Sequence, residues 1–186
     1  GTVSAEGLGR LFRAGVNRLN IGVQSFADEH LLFLGRIHTA ADAAKSIRLA
    51  RHTGFASVGL DLMYGLPGQG EAAWIEDLQK ALTFSPEHLS CYMLTFEEKT
   101  PLCRDLEAGR VAAPRENTVA SLFAATAERL RAEGYHHYEI SNFARSPALR
   151  SCHNRKYWTG APYLGLGPGA HSFLNLPPTR WWNTAE

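Results

Sequence analysis

Closely spaced cysteines are missing from this sequence. Cys91, Cys103 and Cys152 stand 12 and 49 residues apart, and no CxxC or CxxxCxxC occurs. The chain by itself therefore shows no zinc knuckle and no iron–sulfur motif. Three scattered thiols suit a reducing compartment, so a cytoplasmic setting is expected. For Cys91 and Cys103 the simplest expectation is a buried thiol behaving as a small hydrophobe. No apolar run approaches a membrane span, and no signal peptide is visible. The net charge is only +1 and no basic run stands out, so generic attraction to nucleic acid or anionic membrane is not indicated. An initiating Met is lacking as well: the chain opens "GTVSAEGL" and reads as a piece of something longer.

What is present is a core and a repeat. Of the 186 residues, 45% are hydrophobic, enough to bury an ordinary domain interior. Ser4 can cap a helix with Leu8, Leu11 and Phe12 on one face, ended by Gly15. Asp28 opens a short helix that Gly35 closes. Thr39 and Asp42 form a capping-box pattern for a helix running to Gly54. "EAAWIEDLQKAL" has helical spacing, and a long helix is marked by Val119, Leu122, Phe123, Ala127 and Leu130. Strands are expected near 18–24, 57–63, 88–95 and 136–141, with 96–114 as a long loop region. Strands alternating with helices imply βαβ units and a parallel sheet, either open and doubly wound or part of an α/β barrel. No GxGxxG follows the first strand, which counts against a dinucleotide fold; "GLGPGAHS" comes too late to serve. In either architecture ligands lie beyond the carboxyl ends of the strands.

Three polar features fall on that side. Gln24 ends the first strand. Asp61 alternates with Val58, Leu60 and Leu62, so it points to the opposite face, toward a crevice or lumen. "YGLPGQ" follows, and its Pro67–Gly68 pair suits a type II turn. A carboxylate on that face is costly unless paired or hydrated. Asp61 can accept from ribose hydroxyls or pair with an arginine. Arg36 in "LGRIH" is a candidate for that pairing or for a substrate carboxylate. The structural alternative is an ion pair and a capping amide with no ligand.

Seven ordered segments carry a resemblance: "GVNRLNIGVQSF", "LGRIHTAADA", "LDLMYGLPGQ", "LSCYMLTFEEKTPL", "YEISNFARS", "CHNRKYW" and "YLGLGPGAHSF". Together they are similar to the coproporphyrinogen III oxidase-like group of radical S-adenosylmethionine (radical SAM) proteins, and within it most to the heme chaperone branch. The resemblance implies an α/β fold of the radical SAM type, with only the C-terminal half of a parallel (β/α) barrel present. It places one incomplete domain over 1–186: βα units over about 1–95, a long helix and closing strand over 115–144, and a motif-bearing segment over 151–173. It also implies a CxxxCxxC, further strands, a glycine-rich segment and a cofactor-contacting glutamate upstream, and a further domain downstream. The cofactors implied are S-adenosylmethionine, a [4Fe–4S] cluster with ligands outside this chain, and heme. By motif, Gln24, Arg36 and Asp61 match S-adenosylmethionine contacts. The cluster's electron would cleave the sulfonium to give a 5′-deoxyadenosyl radical, the protein supplying orientation and exclusion of water.

The stretch "SCHNRKYWTG" contains the HNxxYW signature of the chaperone branch as His153, Asn154, Tyr157 and Trp158, where the resemblance implies heme binding. An imidazole can ligate heme iron, two aromatic rings offer flat apolar area, and Arg155 and Lys156 could meet propionates. Cys152 and His171 are rival axial ligands. On composition alone the alternative is a polar loop whose rings pack in a core. The resemblance also puts the "GLGPGAHS" segment near the cofactor's adenine, with His171 as a contact. His136 and His137 alternate along a strand, so they do not share a metal. Trp181 and Trp182 are expected to pack against sequence outside this chain.

Three functions follow. The first is a heme chaperone that delivers heme to acceptor proteins. The second is an oxygen-independent coproporphyrinogen III oxidase. The third is an ordinary α/β barrel enzyme using Asp61 for acid–base work. An open sheet edge also invites pairing with another chain, so a dimer is a possible state.

Overall fold

In the computed structural model, which describes residues 3–184, the first helix begins at its cap. The Ser4 hydroxyl accepts from the Gly7 N–H at 3.1 Å and opens α1, Ala5–Arg13. The expected apolar face is covered at one position only: Leu8 is buried, while Leu11 and Phe12 are 45% and 43% exposed. Phe12 instead rests edge-on against Phe55 at 5.5 Å between ring centroids. Strand β1, Arg18–Gln24, follows, then the short helix α2, Asp28–Phe33. Helix α3, Ala40–Thr53, has the full reciprocal capping box between Thr39 and Asp42, and Gly54 ends it at φ 97°, a conformation that glycine alone takes without penalty. Next come β2, Ser57–Tyr64, α4, Glu71–Leu82, and β3, His88–Met93.

The expected loop over 96–114 contains a helix, α5, Pro101–Glu107. Thr100 caps it through the Cys103 N–H, and Pro101 sits where a helix needs no donor. Helix α6, Glu116–Ala132, then returns to the sheet. The closing strand expected at 136–141 is instead a small hairpin: β4, His136–His137, a turn, and β5, Asn142–Ala144. The turn has a local cause. The Glu139 carboxylate accepts from the Ser141 N–H at 2.8 Å and from the Asn142 amide at 2.5 Å, which reverses the chain.

The sheet order is β1-β2-β3-β5-β4. The first three strands are parallel, as the βαβ pattern demands, but β5 runs antiparallel to both neighbours. Paired residues share a face, so register separates two surfaces. One carries Val58, Leu60, Leu62, Leu89, Cys91 and Phe143, all buried in a core with Ile47, Trp74, Leu78, Leu122 and Leu130 from the helices. Each fully buried leucine there contributes about 2 kcal/mol of transfer free energy. Trp74 is closed off completely and donates its indole N–H to Thr126 Oγ1 at 2.7 Å, joining α4 to α6. The other face is polar and small, and it carries the candidate site.

The chain divides into two compact units, Gly1–Leu149 and Arg150–Glu186. After a 3₁₀ turn at Pro147–Leu149, the second unit holds α7, Cys152–Trp158, and a two-stranded hairpin of β6, His171–Asn175, and β7, Pro178–Trp182. The polar stretch around His153 is thus helical rather than a loop, because Ser151 caps it through the Asn154 N–H at 3.3 Å.

Candidate functional site

Register places Gly22, Asp61, Ser90 and Asn142 side by side across four strands of the polar face. Asp61 therefore points away from the core, as the alternation in its strand requires. Asn20, two residues before Gly22, donates its amide to Asp61 Oδ1 at 2.9 Å. Burial raises the Asp61 pKa above its ordinary value; the neighbouring Ser90 hydroxyl and the Asn20 amide lower it in part. No cation pairs with Asp61 among the described residues. The half-buried carboxylate keeps acceptor capacity for a ligand's hydroxyl or amino group.

Two glycines make room for this cluster. A Cβ on Gly59 would run into the Asn20 amide, and one on Gly22 would lie 2.9 Å from the Gln24 amide nitrogen. The Gln24 side chain thus lies over Gly22, beside Asp61 in the register. It reaches there because β1 is irregular between Gly22 and Gln24, and Gln24 itself takes a left-handed φ of 69°. Gln24 thus covers the residue that pairs with Asp61 across the two strands. Arg36 is not brought into contact with them: it stands exposed after α2, with no side-chain bond among the described residues. The pairing of Arg36 with Asp61 is therefore not formed, and Asn20 holds the carboxylate instead. Asn20 went unremarked in the sequence, although it alternates with Leu19 and Ile21 and faces the same way as Asp61.

The turn after β2 is as Pro67–Gly68 predicts. The Gln69 N–H donates to Leu66 O at 3.0 Å, and Gly68 has φ 75°. Gln69 is buried, its side-chain oxygen accepting from the Gly65 N–H at 2.9 Å. At the carboxyl ends of β2 and β3 opens a cavity of about 750 Å³, lined chiefly by Tyr64, Tyr92, Met93, Phe96, Val119 and Phe123.

In the second unit, His153 and Tyr157 lie one helical turn apart on α7, and His153 Nε2 shares a hydrogen bond of 3.1 Å with the Tyr157 hydroxyl. Tyr157 meets Tyr163 edge-on at 4.8 Å, and Tyr163 lies 6.1 Å from Phe173. Yet Tyr157 and Trp158 are 47% and 58% exposed, so these rings do not fill a core, as the structural alternative for this stretch requires. Cys152 and His153 are also exposed, and Asn154 is half-buried. His171, on β6, is exposed and faces Trp182 across the hairpin. Gly165 has a structural explanation: a Cβ there would collide with the His171 backbone, and its N–H donates to Ser172 Oγ at 2.9 Å. His136 and His137 face opposite ways, His137 stacking on Phe143 at 4.2 Å.

Cys91 is buried, and its thiol pKa is raised by loss of solvent, so it is no ready thiolate. Among the described residues no three His, Cys, Asp or Glu side chains come together to hold a metal. The residues present do not fit a [4Fe–4S] cluster. They fit a nucleoside better: an acceptor carboxylate without a counter-ion, a glutamine amide, and a glycine-lined approach.

The Radical SAM superfamily profile matches residues 1–81. The chain is 46% identical over 158 residues to "Radical S-adenosyl methionine domain-containing protein 1, mitochondrial" of Mus musculus, covering 85% of this chain and 36% of that protein. It is 41% identical over 172 residues to "Heme chaperone HemW" of Bacillus subtilis, covering 92% of this chain and 45% of the relative. The chain thus spans less than half the length of these relatives. The coproporphyrinogen III oxidase HemN of Escherichia coli, a solved radical SAM enzyme, superposes with a TM-score of 0.73 at 23% identity, over 92% of this chain and 42% of that one. That likeness establishes the fold, part of a radical SAM α/β barrel. With its first 81 residues matched by the superfamily profile and about two in five residues shared with heme chaperones across nearly its whole length, the chain belongs to the radical SAM superfamily.

Proposed function

We propose that this chain is part of a heme chaperone that binds heme and passes it to acceptor proteins, with S-adenosylmethionine held on the polar face of the sheet. The observation that carries the proposal is the placement of the Gln24 amide over Gly22, next to Asp61. In this reading Asp61 and Gln24 take the hydroxyl and amino groups of the nucleoside, and exposed Arg36 reaches the carboxylate of the amino acid part. Superfamily membership implies S-adenosylmethionine and a [4Fe–4S] cluster; when bound, the pair supplies reductive sulfonium chemistry. No cluster ligands stand in this chain, so its residues act by binding and orienting. His171 is a further cofactor contact in this reading.

Heme is assigned to α7. His153 offers the imidazole, Asn154 follows it on the helix, and Tyr157 and Trp158 expose flat rings for the macrocycle. The partners are heme or a porphyrin and heme-accepting proteins, and pairing with a second copy is part of the proposal. No helix among the described residues is long and apolar enough to cross a membrane. We place the protein in the cytoplasm; the murine relative is named as mitochondrial.

The test is a heme titration followed by absorbance. The chain is expected to bind hemin with a shifted Soret band, and His153→Ala to weaken binding at least roughly tenfold. An unchanged affinity and spectrum removes His153 as ligand. The rival reading, oxidative decarboxylation of coproporphyrinogen III, is favoured only by the structural likeness to HemN. Porphyrinogen turnover by the complete, cluster-loaded protein would establish it. Acid–base catalysis by Asp61 without a cofactor is the third reading; a CxxxCxxC upstream of this chain would exclude it.

A further inference from the structure

Gln24 holds its side chain over Gly22 from a backbone conformation that side-chain-bearing residues avoid. Something must hold it there, and the next residues show what does. Ser25, entirely buried, donates its hydroxyl to Asp77 Oδ2 at 2.6 Å, and the Phe26 N–H donates to Asp77 Oδ1 at 2.7 Å. The same Ser25 oxygen accepts from the Ala27 N–H at 3.0 Å and lies 3.2 Å from His30 Nδ1 in the first turn of α2. Both carboxylate oxygens of Asp77 are thus spent on the two residues that follow Gln24.

Asp77 belongs to another element, α4, and is 3% exposed. It makes no ion pair among the described residues. A buried carboxylate in no close ion pair, with only His30 and Lys80 as nearby positive groups, is a costly tie where an apolar contact would hold a helix to a loop. Its two oxygens do what an apolar side chain cannot: they fix the direction of two successive backbone units.

We infer that Asp77 is a positioning residue for the nucleoside site, fixing the turn after β1 so that the Gln24 amide stays beside Asp61. The inference rests on the reading of Gln24 as a ligand contact given above. Asp77 touches no ligand; it acts through Gln24.

The test is a double-mutant cycle on this chain, with S-adenosylhomocysteine as probe, read by calorimetry, and amide hydrogen exchange over residues 24–31 as a second readout. Asp77→Ala is expected to weaken probe binding roughly tenfold, the loss of charge-assisted hydrogen bonds, and to speed exchange in that segment selectively. Asp77→Asn keeps an oxygen for the Phe26 N–H and an amide for Ser25, and should stay within about threefold of the parent. In a Gln24→Ala background, Asp77→Ala should cost nothing more. Equal losses in both backgrounds, or unchanged exchange at 24–27, overturn the inference. If Asp77→Ala does not fold, Ser25→Ala replaces it in the same cycle, with the same pattern expected at smaller size. If Gln24→Ala binds the probe like the parent, or the parent does not bind it, the nucleoside reading fails; the exchange arm still decides whether Asp77 holds the turn.

Discussion

Asp61 sits inside a five-stranded sheet, bonded to Asn20 and flanked in register by Ser90; His153 sits in the first turn of a seven-residue helix, bonded to one exposed phenol. The first setting is framed. Strand register, two glycines and a neighbouring amide fix where the carboxylate points, so it can select a ligand by geometry. The second is open. Its helix buries none of its residues, and a large flat ligand can approach without displacing a core. A site that must hold a cofactor in one pose benefits from the frame. A site that must take up and release its cargo benefits from shallow, exposed contacts.

The largest effect should come from breaking the frame. Trp74→Ala removes a fully buried indole and its bond to Thr126, and should cost about 3–5 kcal/mol in denaturant unfolding. A loss under about 1 kcal/mol would show that α4 and α6 do not share a core, and the framed site would lose its scaffold argument.

The open site makes a sharper prediction. His153 Nε2 already bonds the Tyr157 hydroxyl, so ligation through that nitrogen must first break an exposed hydrogen bond worth about 0.5–1.5 kcal/mol. Tyr157→Phe keeps the ring and removes the competitor. Hemin affinity should rise, by up to roughly tenfold. A fall would mean that the hydroxyl itself contacts the ligand, or that His153 needs Tyr157 to aim it.

A smaller effect separates the two settings again. Gly59→Ala places a methyl where the Asn20 amide lies, so Asn20 swings away and Asp61 loses its bond. The cost in stability should be about 1 kcal/mol, while affinity for a nucleoside probe falls by more than stability alone explains. Heme binding at α7 should be untouched. If probe affinity is also untouched, Asn20 plays no part in the site.

What the sequence disclosed follows from the range of the interactions involved. Strand β1 was readable to the residue, and the Thr39–Asp42 cap and Pro67–Gly68 turn were readable outright, because each depends on neighbours within three or four positions. Alternation in β2 told which way Asp61 points. Helices α5 and α7 announce themselves locally, through Thr100–Pro101 and Ser151, but short polar helices have little apolar period to notice. The β4–β5 reversal is local too, Glu139 bonding Asn142 three positions on, but it follows no common capping or turn pattern; the Asn20–Asp61 bond spans 41 positions and leaves no periodic trace. Arg36 matched a motif, but a motif does not say where a loop places a guanidinium.

The smallest prediction concerns the charge of Asp61 itself. Its folded pKa is raised above the ordinary 3.8 by burial, so the folded state binds this proton more tightly than the unfolded chain does. Below the unfolded value both states are protonated and nothing is lost. As pH rises through that value, the unfolded chain releases its proton first and the fold loses stability; above the raised folded value the loss is complete and constant. Asp61→Asn keeps an oxygen for the Asn20 amide and removes the charge. It should therefore stabilise the chain at neutral pH by no more than about 1 kcal/mol, since the group is only partly buried, and the advantage should vanish on acidification. The same variant should bind a nucleoside probe more weakly, trading function for stability as ligand carboxylates do. Loss of stability at neutral pH would place a cation beside Asp61 that the geometry does not show, and would recast the carboxylate as a structural ion-pair partner.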